Sequence, residues 1–233
     1  IFSIPKPICN NYFLSFIKRY ILVLRGLSVI IDALKLLPNS SKNIITPDLE
    51  ISQSFDKDRW LRKSRINFKF KQKEDSIGDN FLKSIGCHDK SKLVCMNIRD
   101  AAYLTKTYSS TNNTEYHSYR DSDIEDYIDG VMLLIERGYF VIRTGKYVNK
   151  ELNINDSNFL DYPNSGLRTD FLDIWLMANC KFCISSSNGL ECISDIFGVP
   201  MLFINAAPIG HINSWSNDSI WPPKIIVYKK HKR

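Results

Sequence analysis

From Lys92 onward the chain repeats one pattern: a short apolar run, a polar stretch, a stretch with helical spacing, then another short apolar run. "KLVCMNI", "YFVIRTG", "KFCIS" and "VPMLFIN" are the apolar runs. Being apolar almost throughout rather than alternating, they read as strands covered on both faces. Between them, "SDIEDYIDGVMLLIERG", "TDFLDIWLMANC" and "NGLECISDIFG" read as helices. In the first, Ile124, Ile128, Val131 and Ile135 share a face, Ser122 and Glu125 fit a capping box, and Gly138 stops the helix. In the second, Thr169 is the cap and Phe171, Ile174, Trp175 and Ala178 point inward. The third starts near Asn188 and ends at Gly198. Strands joined by helices imply right-handed crossovers and an α/β fold, a doubly wound parallel sheet of Rossmann-like type.

Residues 1–86 lack that rhythm and form a mainly helical, irregular segment; residues 87–233 form the Rossmann-like domain. Within the first part, "RINFKF" alternates like a short strand, and "SIGDNFLKSIG" reads as a helix closed by Gly86. The chain begins at Ile1 rather than Met, so a piece of a longer protein is expected, and no secretory signal is recognisable. Residues 12–37 are apolar but broken by Lys18, Arg19, Arg25, Asp32 and Lys35, too often for a span of ~20 apolar residues. Amphipathic helices are expected there, packing on protein, with peripheral membrane contact as the alternative.

The net charge of +6 is modest, and Lys and Arg are scattered, which argues against nucleic acid as partner. Cys180 and Cys183 make a CxxC, but no second pair of Cys or His stands at ligand spacing, so buried reduced thiols are expected. The "DSD" of residues 121–123 suits a helix start better than a divalent ion, and no obligatory metal or other cofactor is expected.

Open α/β sheets bind ligands outside the carboxyl ends of their strands. The residues expected there are Arg99 and Asp100, Arg143 and Thr144, Ser185 to Asn188, and Asn205 with Ala206. Ser186, Ser187, Asn188 and Gly189 would let an anion approach the open N–H groups of a helix starting near Asn188. Neither a GK[ST] loop nor GxGxxG is present, and "SSSNG" is not a nucleophile elbow. Ser187 also suits a plain helix cap, and Glu191 suits either the helix dipole or a ribose; both readings stay open. Arg99 and Arg143, each ending a strand, can fork onto phosphate oxygens, and Arg168 can reach a ligand or the surface. Asp100 and His117 are the candidate general bases, against a surface ion pair and a polar-loop histidine.

The elements "VCMNIRDAAYL", "YHSYRDSDIEDYIDGVMLLIERGYFVIRTG" and "DYPNSGLRTDFLDIWLMANCKFCISSSNGLECISDIFGVPMLFIN" resemble a bacterial glycosyltransferase family of surface-polysaccharide gene clusters. The likeness covers residues 93–210, about half of the chain. It implies the carboxyl-terminal, donor-binding half of a GT-B transferase, with distant similarity to fucosyltransferase-like folds in which an Arg after a strand holds the donor pyrophosphate. By that resemblance Arg99, Arg143, Arg168 and residues 186–189 would hold a nucleotide sugar, Glu191 its nucleoside, and Asp100 or His117 would take the acceptor proton. A glycan or lipid-linked acceptor and a cytoplasmic location are expected, with peripheral contact at the inner membrane face through residues 12–37 as the alternative. Residues 1–86 are too few for the complete second domain of a GT-B enzyme. A non-catalytic nucleotide-sugar or phosphate module and a nucleotide-sugar epimerase are the alternatives.

Overall fold

The computed structural model describes residues 8–22, 33–34, 36–38, 68–108, 115–206 and 218–222. In chain order they form α1 (Asn11–Ile17), α2 (Gln72–Ser84), β1 (Leu93–Asn97), α3 (Ala102–Tyr108), α4 (Ile128–Glu136), β2 (Phe140–Arg143), β3 (Phe159–Asp161), α5 (Asp170–Asn179), β4 (Phe182–Ser185), α6 (Cys192–Ile196), β5 (Met201–Phe203) and β6 (Ser219–Ile220). Short 3-10 turns at Glu115–Arg120 and Ile124–Tyr127 precede α4. The sheet order is β3-β2-β1-β4-β5-β6 and every pairing is parallel. This is the strand order of dinucleotide-binding Rossmann sheets, with the order reversing between β1 and β4.

The continuous apolar runs are explained by two cores, one on each face. Leu93, Cys95, Phe140, Ile142, Cys183, Met201 and Phe203 point into one core with Trp175, Leu176 and Met177 of α5. Val94, Met96, Val141 and Ile184 point into the other with Ile124, Val131 and Ile135. Cys87, Cys95, Cys180 and Cys183 are buried free thiols. Burial pushes the Cys95 and Cys183 thiols up, as expected of inert core residues.

Several local expectations differ from the fold. Asp123, not Ser122, caps the turn before α4, accepting from the Glu125 N–H at 3.1 Å. Ser122 instead meets Asn205. The polar stretch after β1 holds α3, and the short strands β3 and β6 add to the four apolar runs. Of "RINFKF", residues 68–70 are described and are unpaired; Phe68 is buried beside Phe16 instead. Gly86 does close α2, which begins four residues before Ser76 at Gln72.

The amino-terminal elements pack on the back of α5. Asn10 Nδ2 donates to the Asp170 carbonyl at 2.8 Å, and the Asn11 N–H to the Asp170 carboxylate at 2.9 Å. Phe16 is enclosed by Phe68, Phe70 and Phe197. Arg19 forks onto Glu74 of α2. No helix among the described residues is long and apolar enough to cross a membrane.

Candidate functional site

Where the order reverses, Asn97 and Ser185 lie side by side at the ends of β1 and β4. The crevice beyond them is stitched by polar groups. The Ser186 N–H donates to the Asn97 carbonyl at 3.2 Å, and the Arg99 N–H donates to Ser186 Oγ at 2.6 Å. Asn97 Oδ1 accepts from Asn188 Nδ2, and Asn97 Nδ2 donates to Thr144 Oγ1 at 3.2 Å. Ser187 holds φ +60, a left-handed turn that costs a non-glycine residue about 1 kcal/mol. Arg99 and residues 186–189 therefore share one rim of the sheet.

The anion seat expected at Asn188 takes another form. α6 begins only at Cys192, and residues 188–191 are not helical: a bend at Gly189 leads into a turn at Leu190 and Glu191. Glu191 is 5% exposed, and its Oε2 accepts from the N–H groups of Asn188 at 3.1 Å and Gly189 at 2.7 Å. The chain's own carboxylate thus occupies the backbone donors that a phosphate would use, and Glu191 faces inward, not toward a ribose. Burial raises its pKa, opposed by those backbone donors.

The arginines are likewise engaged. Arg99 Nε donates to Asp121 Oδ1 at 3.0 Å. Arg143 is 1% exposed; its Nη1 meets the Lys150 carbonyl at 2.7 Å and Asp161 Oδ1 at 3.4 Å, while its Nε is buried without an acceptor among the described residues. Burial lowers its pKa, countered by Asp161. Arg168 pairs with Asp170 at 3.0 Å and with Asp173, at the start of α5. Asp100 accepts from the N–H groups of Ala102 and Asn149, both at 2.9 Å, clamping the start of α3 to the loop after β2. His117 falls in the 3-10 turn Glu115–Arg120, and its side chain lies outside the described residues.

Beside the crevice is a cleft of about 330 Å³ over the ends of β1 and β2, lined by Ile98, Asp100, Asp121, Asp123, Arg143 and Lys150 among others. Lys150 bridges Asp123 and Glu125 across its mouth. The site so assembled brings Arg99, Asp100, Arg143 and residues 186–189 to one rim; Arg168 is spent on α5. It also draws in Arg120, whose Nη2 donates to the Ser187 carbonyl, together with Asp121 and Asn205. By sequence, Asp121 reads only as part of a helix start; its place directly before a capped turn, beside an Arg, was the available signal. No group of three or more potential metal-ligating side chains occurs among the described residues.

Fold and rim together define an open, all-parallel Rossmann-like α/β domain with a polar, charge-paired crevice at its switch point. Comparison of the chain with family models, curated proteins and solved structures finds no match in any of the three.

Proposed function

We propose that the chain is the donor-binding side of a metal-independent, GT-B-like glycosyltransferase. In this reading a nucleotide sugar lies over the carboxyl ends of β1 and β4. The observation that carries the proposal is the approach of Arg99 to the 186–189 turn at the point of strand-order reversal, with the Arg99 N–H 2.6 Å from Ser186 Oγ. Open α/β sheets hold ligands at that place. The acceptor hydroxyl oxygen attacks the anomeric carbon, the bond from that carbon to the diphosphate oxygen breaks, and the nucleoside diphosphate leaves with both electrons. Arg99 and Arg120 offset the charge growing on that leaving group. The hydroxyl proton passes to a base. Asp100, already clamped by two backbone N–H groups, is assigned to holding the rim, and His117 to the proton.

A second reading, a nucleotide-sugar-binding module without transfer, is favoured by the pairing of Arg99, Arg143 and Arg168 with the chain's own carboxylates. Incubation with UDP-, GDP- and CMP-sugars, with and without cell-envelope acceptor, separates the readings. Acceptor-dependent release of free nucleotide supports the transferase, and binding without release supports the module. Sugar interconversion without release would indicate an epimerase, and no binding would end both proposals. Arg99→Ala is expected to weaken nucleotide-sugar binding about tenfold or more, the scale of a charge-assisted contact.

A further inference from the structure

Asp121 is pinned against the guanidinium of Arg99, two residues past the end of β1. Its Oδ1 accepts from Arg99 Nε at 3.0 Å, and the next residue's N–H donates to the Arg99 carbonyl at 3.1 Å. On its other flank, Arg120 Nη2 donates to the Ser187 carbonyl, and Asn205 Nδ2 donates to Ser122 Oγ at 2.5 Å. The strip 120–122 is thus tied at both ends to the rim that would receive a ligand. Arg99 Nη1 and Nη2 carry no hydrogen bond among the described residues, so one edge of the fork is taken and the other is unpartnered, on a side chain 11% exposed. An anion arriving at that unpartnered edge meets one cation and, beside it, a fixed carboxylate of its own sign. The local charge of that pair is zero, which gives a small anion little net attraction. An anion that extends from Arg99 toward the Ser187 carbonyl, where Arg120 Nη2 donates, gains a second cation.

We propose that Asp121 is a specificity-determining residue of this site. It competes with incoming anions for Arg99, and so admits a diphosphate group while holding off single carboxylates and orthophosphate. The inference rests on Arg99 as the contact for the ligand's anionic group, and not on sugar transfer. The test is calorimetric titration of inorganic pyrophosphate and orthophosphate into the wild-type protein, Asp121→Asn and Asp121→Ser. Asn keeps an oxygen for Arg99 Nε while removing the charge, and Ser removes the carboxylate by another route, so one variant suffices if the other fails to fold.

The wild type is expected to favour pyrophosphate over orthophosphate by tenfold or more. The variants are expected to gain at least tenfold for orthophosphate and less for pyrophosphate, so that the preference collapses. The gain is expected to vanish in Arg99→Ala/Asp121→Asn. An unchanged preference in both variants, a gain that survives loss of Arg99, or no binding of either anion by any of the proteins overturns the inference. A protein that shows the collapsed preference yet releases no nucleotide from any nucleotide sugar would sink the transferase reading and leave this one standing.

Discussion

Two buried charges on α5 and β2 are the residues whose energetics the fold most tightly constrains. Asp173 is 3% exposed, its Oδ1 finds no donor among the described residues, and burial raises its pKa from 3.8 to about 6 despite the attraction of Arg168. The folded protein therefore holds this proton more tightly than the unfolded chain. That contribution is complete below the unfolded value near 4 and is lost as pH rises through about 6, on the order of 3 kcal/mol in all. Urea unfolding from pH 4 to 7 is expected to show this decline, and Asp173→Asn to remove it; an Asn variant with an unaltered profile would contradict the assignment. Arg143 is different in kind: it is itself buried, and its loss leaves the half-buried Asp161 carboxylate with only the Leu152 N–H and the Asn164 amide. Arg143→Met is expected to cost about 3 kcal/mol in denaturant unfolding. Lys150→Met, removing an exposed cation at the cleft mouth, is expected to leave the unfolding midpoint in place. Arg99 and Arg143 were legible in the sequence as strand-end cations. Their partners were not, since Asp121 approaches only once its loop folds onto the rim and Asp161 only once β3 pairs beside β2.

At the scale of elements, the α2–α5 contact sets a test that reverses a common rule. Gly78 lies in α2 against the ring of Trp175, and a Cβ there would collide with that ring. Trp175 cannot yield readily, since its Nε1 donates to Asp75 at 3.0 Å and its ring is fully buried. Gly78→Ala is expected to destabilise by about 1–3 kcal/mol through overpacking. Gly130→Ala in α4, where a Cβ meets nothing within 4 Å, is expected to stabilise by up to about 1 kcal/mol. Thermal unfolding of the two variants reads both signs, and equal shifts would contradict the packing. The elements with period or caps were legible: β1, β2, β4, β5 and α5, whose Thr169 cap accepts from the Leu172 N–H at 3.1 Å. Those without either, such as β3 and β6, were not, because neither sits in a continuous apolar run that would mark it as a strand. The late start of α6 has a similar origin. Glu191 suits the first turn of a helix at Asn188 by sequence, but it folds back onto the N–H groups of Asn188 and Gly189 instead.

For the whole molecule, the alternation after Lys92 was enough to imply a parallel sheet covered on both faces, and two separate cores bear that out. Strand order was not readable, because it depends on which way each crossover turns. Yet the order sets where a sheet of this kind offers a ligand site, since the reversal between β1 and β4 leaves a crevice at the carboxyl ends of the strands. The amino-terminal stretch packs alongside: α1 and α2 lean on α5, distant in the chain but adjacent in space. Whether this rim receives an anionic donor is decided by titrating UDP and GDP into isotope-labelled protein and following backbone amide NMR shifts. Shifts are expected to concentrate at residues 97–100, 120–122 and 185–189; no shifts with either nucleotide, or shifts confined to β3, β6 or the amino ends of the strands, would overturn the assignment.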